Sequence, residues 1–402
     1  MARKYMGVKR IIGVGLGLLL VLSGCAHKAA EELAPSSSVS STQEAPSPEK
    51  TSSASAFDAA AGFHYGQLTA DQQKVYRQIV EASSRFESEI EITPMDKESF
   101  STVDTAVKYD YPEFFWISQH STMNLIDDAV VSVHYDVPSN VQELSAQIED
   151  IVQSVIAQAP AGEYEKVKYF YEWVIDNTEY QAADNDQDIT SVFIDKRSVC
   201  AGYARAFLYL CKKAGIEAVY VTGSARGEAH AWNLVNIGGA YYWVDPTWGD
   251  PVFARENQSS SASDENINYN FLCVSDEELL PTHTINHKAS DDRSAPEVFE
   301  YPECTDNSLN YYVRAGSYFA EYDYEKIYSY IKNKFENNIY TGIELKFKTH
   351  EAYDAALSDF LTSEDPGIMK VFQDVNPQYS GSVSWSYSYS EESNYFKVSL
   401  KK

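Results

Sequence analysis

Three residues of this chain have the types and the order that thiol chemistry needs: Cys200 within Ser198-Val-Cys-Ala-Gly-Tyr-Ala-Arg-Ala-Phe207, His230 within His-Ala-Trp-Asn233, and Asp245 within Asp-Pro-Thr-Trp248. A cysteine, then a histidine, then a carboxylate supply a nucleophile, a base and a group that orients the base. Together they suit attack on a carbonyl carbon and transfer of its acyl group. The surrounding pattern says which elements must carry them. Ser198 is a candidate N-cap, and Ala201, Ala204, Phe207, Leu208 and Cys211 form an apolar helical stripe that stops at Gly215, a natural C′ residue. That places Cys200 in the first turn of a helix, where the dipole and the backbone N–H groups favour negative charge and can hold an oxyanion.

The other two residues fall on a predicted hairpin. Ile216 to Thr222, ending at Gly223, reads as a strand, followed by His230 to Ile237, a Gly238-Gly239 turn and Ala240 to Asp245. With a two-residue loop, Ile237 lies opposite Ala240, Trp232 opposite Asp245 and His230 opposite Thr247. His230 and Asp245 then share a sheet face as diagonal neighbours, within reach of a carboxylate–imidazole hydrogen bond. A three-residue loop would put them on opposite faces.

With these pieces in hand, the stretch from roughly Glu163 to Asp250 resembles the transglutaminase-like superfamily, relatives of papain-type cysteine proteases. The matching pieces are Val199-Cys-Ala-Gly-Tyr-Ala, Gly223 ahead of a loop, His230-Ala-Trp-Asn and Val244-Asp-Pro-Thr-Trp248. The resemblance implies an α+β fold: a transglutaminase-like (papain-like) core of a nucleophile helix packed on a small antiparallel sheet, followed by a smaller C-terminal α+β unit. It implies that Cys200 is the nucleophile, His230 its general base and then acid, and Asp245 the group that fixes the imidazole. Active members share a thioester intermediate and differ in whether water or an amine accepts the acyl group; others are silent. No cofactor and no metal are expected. Tyr180 and Trp232 are candidates for a second oxyanion donor. The substrate expected is a peptide or protein, cell-wall peptide included, and the alternative is a catalytically silent wall- or protein-binding module.

Composition narrows the setting. The 402 residues are 44% hydrophobic and 13% aromatic, ample for real cores, and the formal charge of −27 argues against a nucleic-acid partner, which needs clustered Lys and Arg. Arg3, Lys4, Lys9 and Arg10 precede an apolar run from Ile11 to Leu22, too short for a membrane span, and then Leu22-Ser-Gly-Cys25, which resembles a bacterial lipobox. Residues 1–24 are therefore expected to be a lipoprotein signal peptide, with Cys25 lipidated, membrane contact through that lipid alone, and an extracytoplasmic location. Residues 25–56 read as a tether, of which Ala34 to about Ala56, mostly Ser, Ala, Pro, Thr and Glu, has an r.m.s. reach on the order of 25 Å.

Beyond the tether the sequence divides into a mixed segment at 57–140, the catalytic unit at 141–304 and the C-terminal unit at 305–402. Cys211 reads as core, and a Cys273–Cys304 bridge is left open. Asp184-Asn-Asp-Gln-Asp188 with Asp195 echoes a calcium loop, but Ile189 stands where that loop needs glycine, so a solvated loop is expected. His283 and His287 have i, i+4 spacing and read as a helix-face coincidence, with no metal between them. The tyrosines of the last hundred residues, Tyr311, Tyr312, Tyr324, Tyr328 and Tyr330 among them, read as core and rim in preference to a glycan platform.

Overall fold

The computed structural model describes residues 9–13, 62–118, 121–251, 267–289 and 297–401. Cys25 and the 25–56 tether lie outside them. No helix among the described residues is long and apolar enough to cross a membrane.

The first layer is a sheet of β1 (Lys9–Gly13), β2 (Glu89–Met95), β3 (Ser121–Ile126) and β4 (Ala129–Tyr135), ordered β1-β3-β4-β2, with α1 (Ala70–Ser83) and α2 (Lys97–Asp110). β1 falls in the stretch read as a leader and pairs antiparallel along β3. Thr69 and Gln72 close a capping box on α1, as their spacing predicts, and Asp96 caps α2. Helices α3 (Val141–Gln158) and α4 (Glu163–Asp176) follow, where the apolar stripes place them.

A short parallel pair, β5 (Glu179–Tyr180) and β6 (Arg197–Ser198), then feeds α5 (Cys200–Lys213). Every residue of α5 from Ala201 to Cys211 is buried. A helix apolar almost all round needs neighbours on every side; α3 and α4 supply some, and a sheet supplies the rest. That sheet runs β10-β9-β8-β7-β11, every pairing antiparallel, from β7 (Ala218–Ala225), β8 (Glu228–Ile237), β9 (Ala240–Val244), β10 (Leu272–Val274) and β11 (His283–Ile285). Two single-turn helices, α6 (Pro246–Gly249) and α7 (Asp276–Leu279), sit in its connections. Gly238 and Gly239 turn at φ of +62° and +89°, the left-handed region a two-residue type I′ hairpin demands, and Ile237 faces Ala240.

Buried residues from Leu68 to Phe299 form one core that unites the first layer with α3–α5 and the inner sheet face. The C-terminal unit has its own core. After α8 (Tyr311–Arg314) come β12 (Tyr318–Phe319), α9 (Tyr324–Glu336), β13 (Ile343–Phe347), α10 (His350–Leu357), α11 (Gly367–Val375) and the hairpin β14 (Ser384–Ser390) and β15 (Tyr395–Lys401). Its tyrosines go mostly inward: Tyr312 is sealed, while Tyr324, Tyr328 and Tyr330 lean on the core.

One detail differs from the sequence reading, and one that it left open is answered. The N-cap of α5 is Val199, without a side-chain cap; Ser198 is fully buried and its hydroxyl bonds inward to Ser191 Oγ (2.7 Å) and the Asp186 carbonyl (3.0 Å). Cys273 and Cys304 are separate, buried thiols, with no bridge between them.

Candidate active site

Asp245 directly follows β9 and is the N-cap of α6, so Thr247, expected opposite His230 on an extended strand, lies in that helical turn instead. Pro246 takes the first helical position, where no N–H is required, and Asp245 Oδ1 accepts from the N–H groups of Thr247 (2.9 Å) and Trp248 (3.1 Å). This is the physical content of Asp-Pro-Thr-Trp: a one-turn helix that clamps one carboxylate oxygen and aims the other back at β8. Oδ2 then accepts from His230 Nε2 at 2.7 Å, with Asp245 entirely inaccessible. The indole of Trp232 stacks near the His230 ring, and Trp248 closes a second side. Asn233, the last residue of His-Ala-Trp-Asn, donates to the carbonyls of Ala204 (3.0 Å) and Val219 (3.3 Å), fastening β8 to the middle of α5. The strand that carries the base is thus tied to the helix that carries the thiol.

Cys200 is the first residue of α5 and is partly exposed, unlike the other described cysteines. Because Nε2 of His230 is taken by Asp245, Nδ1 is the nitrogen left for the thiol. Burial alone would lower the imidazole, but the Asp245 charge and hydrogen bond, then a hydrogen bond with Cys200, raise it to about 10. Burial works against the Asp245 carboxylate as well, yet His230 and then His283 hold it well below the usual carboxylate range. Burial pushes the thiols of Cys211, Cys273 and Cys304 well up from their ordinary value.

The two oxyanion candidates fare differently. Burial and then the neighbouring Cys200 raise the Tyr180 phenol, which keeps it protonated. Trp232 is sealed, its indole N–H meeting no acceptor among the described residues, and it serves as a wall under His230. The 184–188 segment opens to solvent at Asp184 and Asn185 and turns inward at its end, where Asp188 Oδ1 accepts from the N–H and hydroxyl of Thr190, and Ile189 after it is buried.

His283, set aside in the sequence reading as a helix-face coincidence with His287, is the residue whose place in the site that reading missed. It lies on β11, not on a helix, and His287 is spent on the Phe299 carbonyl at 2.8 Å. His283 Nε2 reaches the same Asp245 Oδ2 at 3.1 Å, and its Nδ1 meets Thr282 Oγ1 at 2.8 Å. Gly223 makes the approach feasible: a β-carbon there would lie 2.0 Å from the Thr284 carbonyl oxygen and 2.8 Å from the Trp232 ring. His230, Asp245 and His283 offer atoms within 4.8 Å of one another, the only such cluster among the described residues. The 2.7 Å separation of His230 Nε2 and Asp245 Oδ2 is that of a hydrogen bond.

The central unit has a transglutaminase-like fold, and the model of the transglutaminase-like superfamily matches residues 149–246. The kyphoscoliosis peptidases of mouse and human are each 28% identical to this chain over an alignment 120 positions long that covers 25% of this chain and 18% of theirs, so the chain spans under a fifth of these curated relatives. Among solved structures, a TGase is 18% identical, with a TM-score of 0.27 over 37% of this chain and 48% of that one. A candidate cysteine protease from Cytophaga hutchinsonii is 16% identical, with a TM-score of 0.24 over 33% and 58%.

Proposed function

We propose that this protein is an extracytoplasmic, lipid-anchored cysteine enzyme that transfers the acyl group of a peptide or protein amide through a Cys200–His230–Asp245 triad. The observation that carries the reading is the 2.7 Å hydrogen bond from His230 Nε2 to a buried, doubly clamped Asp245, with the free face of the imidazole toward the thiol at the start of α5. His230 Nδ1 takes the thiol proton, and Cys200 Sγ attacks the amide carbon. The first-turn N–H groups of α5 lack intrahelical acceptors and, with the Tyr180 hydroxyl, stabilise the oxyanion. Collapse breaks the C–N bond as His230 protonates the departing amine, leaving a thioester on Cys200. Water or an amine then attacks the thioester, His230 takes its proton, and the thiol is regenerated. The names of the peptidase relatives and the Gly223, His-Ala-Trp-Asn and Asp-Pro-Thr-Trp motifs support the same reading.

The test is mass spectrometry of peptide mixtures incubated with the protein and a small primary amine. Cleavage, deamidation or amine incorporation by wild type, absent with Cys200→Ala, is expected. Wild type and Cys200→Ala giving the same products, or none, would overturn the proposal.

A further inference from the structure

We propose that His283 is a positioning residue of this site: it holds Asp245 between two imidazoles and, by sharing the carboxylate, limits how tightly that carboxylate binds the His230 imidazolium. The inference rests on the acyl-transfer reading above.

The argument begins with Asp245, whose lone pairs are fully committed. Oδ1 accepts two backbone N–H groups of α6, and Oδ2 accepts from His230 at 2.7 Å and His283 at 3.1 Å. Beyond His283 the chain of bonds continues, Nδ1 to Thr282 Oγ1 at 2.8 Å and Oγ1 to the Leu279 carbonyl at 3.1 Å. The ring is 2% exposed and boxed by Trp232 (5.0 Å), Trp248 (4.7 Å) and Phe271 (6.3 Å). A polar ring this deeply buried must spend its hydrogen bonds, and it spends one of them on the proposed triad.

What this does to His230 follows from the donor count. A carboxylate that accepts a second charge-assisted hydrogen bond holds less negative charge for the first. The buried His230–Asp245 pair already raises the imidazole to about 10. A base held more tightly still would take the thiol proton readily but surrender it poorly to the departing amine, and both transfers are needed. The groups facing His230 from packed elements are Asp245 beside α6, His283 on β11 and Cys200 on α5. Tyr180 of β5 stands near Cys200 and Asp245, and Arg226 lies over the Trp248 ring with Glu392 of the C-terminal hairpin as its partner. Of these, only His283 shares with His230 the oxygen that orients it.

The experiment is the pH dependence of Cys200 alkylation by iodoacetamide in the full chain, for wild type, His283→Leu and His283→Gln. Leucine removes the donor and keeps the box filled; glutamine restores a neutral donor at similar reach. The account expects the alkaline limb, where His230 loses its proton, to move up by on the order of one pH unit in H283L and to return in H283Q, with turnover lowered several-fold in H283L alone. Should H283L not fold, Thr282→Val, which keeps the imidazole but removes its Nδ1 partner, carries the measurement: a limb displaced upward supports the role. Limbs superimposable on wild type, or moved downward, overturn it while leaving the triad standing. Stoichiometric zinc in wild type, lost with His283, overturns it in favour of a metal site. A wild type with no His230-dependent limb overturns the triad as well.

Discussion

Asp245 is the residue on which the site turns, because it joins three elements: α6 through Oδ1, and β8 and β11 through Oδ2. Its replacement by asparagine keeps the shape and the N-cap but offers His230 an amide in place of a charge. The expected result is a folded protein whose turnover falls by a factor on the order of 10³ or more, as when a triad histidine is held in the wrong tautomer. Circular dichroism checks the fold and steady-state kinetics the loss. A second expectation concerns pH. The His230 imidazole is raised from 6.5 to about 10, so its pairing stabilises the fold fully below the unfolded value, and that contribution disappears as pH rises through the folded one. Thermal denaturation should therefore show the gap between wild type and His230→Ala narrowing from pH 6.5 to pH 10. A constant gap across that window would count against the charged pair. At this scale Cys200, His230 and Asp245 were legible in the sequence because each sits in a local motif. His283 was not, since its partner is 38 positions away and its own strand is only three residues long.

Elements make that geometry through register. The hairpin parity was readable because Gly-Gly specifies a two-residue turn, and side chains along a strand alternate with a period of two. Ile237 opposite Ala240 is what brings Asp245 to His230. Inserting one residue between Gly238 and Gly239 should lower activity about as severely as losing Asp245, because it moves the side chains of one strand to the other face unless a bulge absorbs it. Activity assays together with a melting curve distinguish this from unfolding. An inserted variant with wild-type turnover and no bulge would contradict the register argument. The N-cap of α5 was misread for the complementary reason. Serine has the chemistry of a cap, but burial at the end of β6 gave the Ser198 hydroxyl better partners in Ser191 and Asp186. In the 184–188 run, where the sequence reading expected a solvated loop, Asp184 and Asn185 are exposed, whereas Asp188 is buried and consumed by its own turn.

For the whole molecule, the proposed lipid anchor rests on the sequence ahead of the first helix. The lipobox-like Leu22-Ser-Gly-Cys25 and the Ser/Pro-rich stretch after it precede the first helix, so Cys25→Ser should release the protein from membranes with turnover unchanged. Fractionation and an activity assay check both halves, and a variant still membrane-bound would refute the anchor. The C-terminal unit, with its own core, was legible from alternating Trp385, Tyr387 and Tyr389 against Phe396, Val398 and Leu400, which pair as a hairpin. Its contact with the catalytic unit was not, because Arg226–Glu392 and Arg314–Glu165 join residues more than a hundred positions apart.

The central claim is that Cys200 is a thiol activated by His230 and Asp245. It is met most directly by limited iodoacetamide labelling of the native protein, read by peptide mass spectrometry for each cysteine. Cys211, Cys273 and Cys304 are buried, and burial holds all three as thiols. The account predicts modification of Cys200 alone, fast in wild type and slowed at least tenfold, on the order expected for loss of an activating base, in His230→Ala. Equal labelling of a buried cysteine, or a Cys200 rate indifferent to His230, would contradict it.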